Sequence, residues 1–128
     1  MQYARALFLS GAFFNLVAGL LIIAATMIPD VGRLLGLYEI DPVSRTFLHV
    51  TAGAVLLFGW SYWLVGRDPV KNRPIIQLGV VGKLAIIAIL WGHWLAGDIG
   101  VQLPVLTLAD AVYAGLFWNY LRHSAAIS

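Results

Sequence analysis

Cysteine is absent from the 128 residues, which removes disulfides, thiolate metal sites and cysteine nucleophiles. Charge is scarce: only 11% of residues are Asp, Glu, Lys or Arg, and the formal net charge is +2. The basic residues are spread thinly, so no stripe suits a nucleic acid partner. Low-complexity segments are missing as well. The likeness of Asp41-Pro42-Val43 to Asp68-Pro69-Val70 extends no further, so it marks two helix starts rather than a repeat. A single domain over residues 1–128 is expected. No signal peptide is expected, because the first apolar run lacks a small-residue cleavage site and is long enough to span a bilayer.

What the chain has in excess is apolar surface. Hydrophobic residues make up 61% of it, with a mean hydropathy of +0.87. A small soluble domain has too much surface for its volume to hide that content, so lipid is the expected solvent. Four apolar segments stand out. The first, Ala6 to Ile28, carries no charge. Asp41-Pro42, an acceptor side chain followed by a first-turn proline, starts the second, which runs to about Val65 with Gly66 as its stop. The third runs from Pro74 to near Ala96, with Gly97 placed to cap it. The fourth, from Pro104 to Leu121, is the shortest. A spanning helix needs about 20 apolar residues, and all four come close.

The predicted fold is therefore all-α integral membrane: an antiparallel four-transmembrane-helix bundle, since short connections make successive helices neighbours. Between the first two spans, "PDVGRLLGLYEI" puts Val31, Leu34, Leu35 and Tyr38 at helical spacing and predicts a short interfacial helix on the outer face. Arg5, Arg67, Lys71, Arg73 and Arg122 fall on one side of four crossings, and Arg33 and Arg45 on the other. The positive-inside rule then places both termini in the cytoplasm of a bacterial inner membrane.

Polar groups cost free energy in hydrocarbon, so those within the spans are the candidate functional residues. Asn15 lies between Gly11 and Gly19 on one face of the first helix, a pattern that admits a close neighbour and gives it one hydrogen-bonding group. Lys83 has two readings. Its side chain snorkels toward the cytoplasmic headgroups, which the pattern favours, or it faces the bundle and donates to Asn15 or a ligand, with Gly79 and Gly82 making room. His49, His93 and Asp110 come to similar depth near the outer leaflet. Three stripes would make them converge: His49, Gly53, Leu56, Trp60 and Trp63; Gly79, Gly82, Ile86, Leu90 and His93; and Asp110, Ala114, Phe117 and Leu121.

Two imidazoles and a carboxylate suit a divalent metal such as iron or zinc, and two histidines suit haem or the carbonyls of a quinone. The competing reading is a structural hydrogen-bond cluster, with His93 between Trp91 and Trp94 belonging to an interfacial aromatic belt. Asn15, Lys83 and Trp60 are candidates for packing or for contact with a ligand.

The stretches "ARALFLSGAFFNLVAGLLI" (4–22) and "GVVGKLAII" (79–87), with the proline-bounded segment after the first, resemble the small four-helix bacterial membrane proteins called DoxX-like. The resemblance covers most of the chain in helix count, length and glycine placement, and includes no catalytic motif. It implies an inner-membrane location and a redox partner, because some members are described as subunits of quinol-linked oxidoreductases.

The leading expectation is a non-catalytic membrane protein that self-associates or joins a larger complex and holds an apolar ligand between its helices. The alternative is a membrane enzyme or redox protein acting through His49, His93 and Asp110. A channel is disfavoured by the lack of polar residues to line a pore.

Overall fold

The computed structural model describes residues 2–125. Five helices account for most of them: α1 (Gln2–Met27), α2 (Pro29–Leu34), α3 (Pro42–Arg67), α4 (Arg73–Leu95) and α5 (Gln102–Ala125). No strand occurs among the described residues.

The helix ends follow local chemistry. The Asp41 carboxylate accepts from the Ser44 backbone N–H at 2.8 Å and from its hydroxyl at 2.9 Å, while Pro42 supplies the fixed φ of the first turn. Those two bonds hold the exposed Asp41 carboxyl below its ordinary range. At the end of α4, Gly97 has φ +83°, its N–H bonds to Trp94 O, and the Asp98 N–H reaches His93 O. This is the paired closure that satisfies the last carbonyls of a helix. Gly36 closes α2 in the same way. Gly66, by contrast, is no stop. It lies buried inside α3, where a Cβ would come within 2.9 Å of Leu9, and the helix continues to Arg67.

Contacts along the helices fix their directions. On α1 and α3, Leu9 lies by Gly66, Asn15 by Gly59, Gly19 by Ala52 and Thr26 by His49, so the two run antiparallel. The α3–α4 contact goes through Tyr62 to Gly79 and Phe58 to Gly82. On α4 and α5, Trp91 meets Thr107, Lys83 meets Asp110 and Arg73 meets Leu121. Helix α1 meets α5 through aromatic rings: Phe8 against Phe117 at 4.7 Å and Tyr120 at 5.5 Å, and Phe14 against Tyr113 at 5.4 Å. Every pairing is antiparallel. The tightest core, formed by Leu7, Phe8, Tyr62, Val65, Ile76 and Phe117, lies toward the ends that carry the α3–α4 loop.

Three helices, α1, α3 and α4, are long and apolar enough to cross a membrane. The expected fourth is different. Helix α5 is not shorter than α4, since it starts at Gln102 and runs to Ala125. Its Thr107, Asp110, Asn119 and Arg122 nevertheless dilute its apolar character below that of the other three.

The segment between α1 and α3 is helical only over Pro29–Leu34. Leu35 turns inward, while Leu34 and Tyr38 are exposed. The inward face of α3 is also shifted from the expected stripe. Ala52, Gly59, Tyr62 and Val65 are buried, whereas Trp60 is 58% exposed and Trp63 lies outside beneath Arg67, whose guanidinium is 5.1 Å from its ring. Trp60 is thus neither a packing nor a lining residue within the chain. On an exposed helical face, bulky indoles occupy surface that backbone contact would otherwise need, and the small residues one position away take the close approach.

Close approach makes a direct test. A Cβ at Gly79 would come within 2.8 Å of the buried Tyr62 ring, while one at Gly53 would meet nothing within 4 Å. Gly79→Ala is expected to destabilise the purified protein by about 1–3 kcal/mol through overpacking. Gly53→Ala should leave it unchanged or stabilise it by up to about 1 kcal/mol through helix propensity. Thermal unfolding in detergent reads both.

Candidate functional site

Lys83 sits near the middle of α4, with Gly79 and Gly82 beside it, and its side chain is only 5% exposed. It does not snorkel. Its Nζ donates to Asp110 Oδ1 of α5 at 2.6 Å and to Asn15 Oδ1 of α1 at 3.4 Å. Asn15 in turn donates through Nδ2 to the Val55 carbonyl of α3 at 3.1 Å. The ammonium also lies 5.3 Å from the Phe14 ring centre and 5.5 Å from those of Tyr62 and Tyr113, within reach of favourable cation–ring contact. One lysine therefore gathers side chains or backbone from all four long helices. Snorkelling loses because it would strand Asp110, itself mostly buried at 22% exposure, as an unpaired charge.

This polar group forms one end of a cavity of about 500 Å³. Its walls are apolar: Ala18, Leu21 and Ile22 from α1, Val55 and Phe58 from α3, Ile86 and Leu90 from α4, and Leu103 and Leu106 from α5. Leu35, just after α2, closes over the far end. Thr51 and Ala54 on α3 and Ile86 and Ile89 on α4 line the cavity and are also exposed, so it opens sideways between these two helices. The packing explains the opening. Helices α3 and α4 touch at Tyr62–Gly79 and Phe58–Gly82, and toward α2 the cavity is lined by Leu48, Thr51, Ile89 and Leu90. The volume lies in the range of cavities that hold small molecules, with apolar walls and few polar groups as such sites usually have.

The three residues expected to converge near the outer leaflet each have their own partner. His49 shares a 2.7 Å hydrogen bond with Thr26, which itself donates to Ile23 O. His93 bonds through Nδ1 to Asp98 at 2.7 Å, and both side chains are 57% exposed. Asp110 is held by Lys83. Among the described residues no hydrogen bond joins any two of His49, His93 and Asp110, and no group of three His, Asp or Glu side chains is placed to hold a metal.

The reason is angular. On α3 the buried face lies one position away from the stripe through His49, and on α4 His93 sits beyond the buried Lys83 on the solvent-facing turn. His93 instead belongs to the end of its own helix, tied to Asp98 by the side chain and to the Asp98 N–H through its carbonyl. Trp91 turns back to Thr107 at 3.0 Å, and Trp94 packs edge-on against it. Sequence reasoning named Lys83, Asn15 and Asp110 without joining the first and last. It missed Tyr62, whose place under the lysine follows from the Gly79 gap that admits its ring.

Compared with protein-family models, with curated proteins and with solved structures, the chain matches none of them.

The ion pair predicts an asymmetric response to mutation. Lys83→Met leaves the Asp110 carboxylate without its cation and is expected to cost about 3–5 kcal/mol. The double substitution Lys83→Met with Asp110→Leu removes both charges and should recover most of that loss, because apolar replacements of similar volume often match a buried pair. Unfolding of the single and double variants in detergent measures the difference. A double variant no more stable than Lys83→Met would show that the pair contributes beyond mutual neutralisation.

Proposed function

We propose that this chain is a small non-catalytic membrane protein that holds an apolar molecule, admitted from the lipid, in the cavity between its helices. The observation that carries the reading is the lateral opening: an apolar cavity of about 500 Å³ whose exposed lining, Thr51, Ala54 and Ile89, faces where acyl chains would lie. A molecule dissolved in the bilayer enters such a site without crossing water. The polar end at Lys83, Asp110 and Asn15 then orients it, as a few convergent polar groups do in other small-molecule sites.

In this reading α5 crosses the membrane with α1, α3 and α4, giving a bundle of four spans with α2 at the outer surface. Helix α5 is long enough to cross, and its Asp110 is neutralised inside the molecule rather than presented to lipid. Both termini and the α3–α4 loop then face the cytoplasm of a bacterial inner membrane, following the basic residues. That arrangement agrees with the resemblance to DoxX-like proteins. Lys71, exposed in the α3–α4 loop, makes the topological test. A Lys71→Cys variant should resist a membrane-impermeant thiol reagent in intact cells and react after lysis. Labelling from outside would reverse the assignment.

The function itself is tested at the cavity mouth. Protein purified in mild detergent should carry an apolar small molecule detectable in its organic extract by mass spectrometry. Ala54→Trp, which fills the opening without touching the polar group, should lower its amount several-fold while the protein stays folded. Equal extracts from parent and variant would overturn the proposal.

A further inference from the structure

The polar end of the cavity lies deep within the helices and is only partly satisfied. At 1.5 Å per residue, Asn15 is about 18 Å in from the outer end of α1 at Met27, and Lys83 about 18 Å in from that of α4 at Leu95. Half the hydrocarbon thickness of a bilayer is about 15 Å. The mouth reaches nearly as deep: Ala54 and Ile86 lie about 18 Å and 14 Å in from the outer ends of α3 and α4. Lys83 takes Asp110 Oδ1, and among the described residues nothing bonds Asp110 Oδ2 or the Tyr62 hydroxyl. No buried side-chain oxygen or nitrogen there lacks a partner, so both oxygens are uncovered, beside the cavity that their residues line. Lys83 and Asn15 each keep one N–H beyond the bonds they make. Donors and acceptors are therefore both present at this depth.

Resting on the reading of the cavity as a ligand site in a four-span bundle, we infer that its occupant is a lipid with one uncharged polar head, taken up head first from the middle of the bilayer. A bare hydrocarbon chain would cover Asp110 Oδ2, the Tyr62 hydroxyl and the spare N–H groups without bonding any of them, which is unfavourable. Because donors and acceptors stand together, an alcohol, a ketone or an ester each finds a partner. The site thus selects neutrality and polarity, not one hydrogen-bonding sense. Charge is what it rejects. Lys83 and Asp110 already balance, so a phosphate, carboxylate or ammonium head would leave a net charge in an apolar enclosure. Such a head would also have to leave the interface and cross most of a leaflet to reach the mouth. A phospholipid keeps its head at the surface and meets the opening only with a chain, the end that the polar floor holds poorly.

The test uses full-length protein in lipid nanodiscs and five probes of equal chain length: dodecane, dodecanol, 2-dodecanone, dodecyltrimethylammonium and dodecanesulfonate. Affinities come from displacement of an environment-sensitive apolar dye, corrected for partition into empty nanodiscs. At least one of dodecanol and dodecanone is expected to bind about tenfold or more tightly than dodecane and than both charged probes. The order of alcohol and ketone tells whether the acceptor or the donors of the floor dominate, and either order supports the inference.

In the Lys83→Met, Asp110→Leu double variant, which keeps an apolar cavity, the advantage of the neutral polar probes over dodecane should fall several-fold while dodecane binding persists. An advantage unchanged in that variant would overturn the inference, since the polar floor would not be what reads the head. Dodecane binding as tightly as dodecanol and dodecanone in the parent protein would overturn it as well, assigning the cavity to a hydrocarbon chain and leaving the cavity reading standing. Either charged probe binding as tightly as the neutral polar ones would do the same. If no probe displaces the dye, the cavity reading falls with it.

Discussion

The fold turns on one ammonium in an apolar interior. Lys83 draws Asp110 from α5 and Asn15 from α1, Asn15 reaches the α3 backbone, and rings from α1, α3 and α5 surround the charge. A buried charge without a partner is costly, so the register of each helix is constrained by the need to bring its group to that point. A shift of one residue in α4 would turn Lys83 by about 100° and part it from all of them. Close packing on the loop side of this point, with Gly79 admitting the Tyr62 ring, fixes the same register sterically. Electrostatic and packing constraints therefore agree at one depth, and the space on the α2 side is left unfilled.

That division gives the molecule two halves with different character. One is filled by Phe8, Tyr62, Ile76 and Phe117, all fully or nearly fully buried. The other encloses the cavity behind small and aliphatic side chains such as Ala18 and Val55. The polar group lies at the boundary, which is where a ligand entering from the open half would end.

Much of the fold was legible in the sequence because it depends on local signals. Asp41 before Pro42 starts α3 through a bond three residues long, and Gly97 ends α4 through its own positive φ. The Gly11–Asn15–Gly19 face is buried as its small residues imply. The site was less legible. Lys83 and Asp110 lie 27 residues apart, and their meeting depends on the register of two helices across a turn. The stripe on α3 was misplaced by one residue because its tryptophans and glycines alternate around the helix, so apolar spacing alone does not tell an outward-facing ring from a core one. The histidines were read as long-range partners when near or neighbouring groups satisfied them: Asp98 five residues from His93, and Thr26 across from His49.

The Lys83–Asp110 pair also bears on how the chain reaches its place. Under the four-crossing reading, α4 alone would carry a bare cation into hydrocarbon and α5 a bare anion, each costing about 2.5–3.5 kcal/mol at the centre of an isolated helix. Entering together, as a hairpin already closed by its ion pair, the two would avoid both costs. The connection is suited to that: residues 96–101 contain Gly97 and Gly100, and the chain reverses at once. Biogenesis would then proceed by helical pairs rather than by single helices, with the second pair unable to stop halfway.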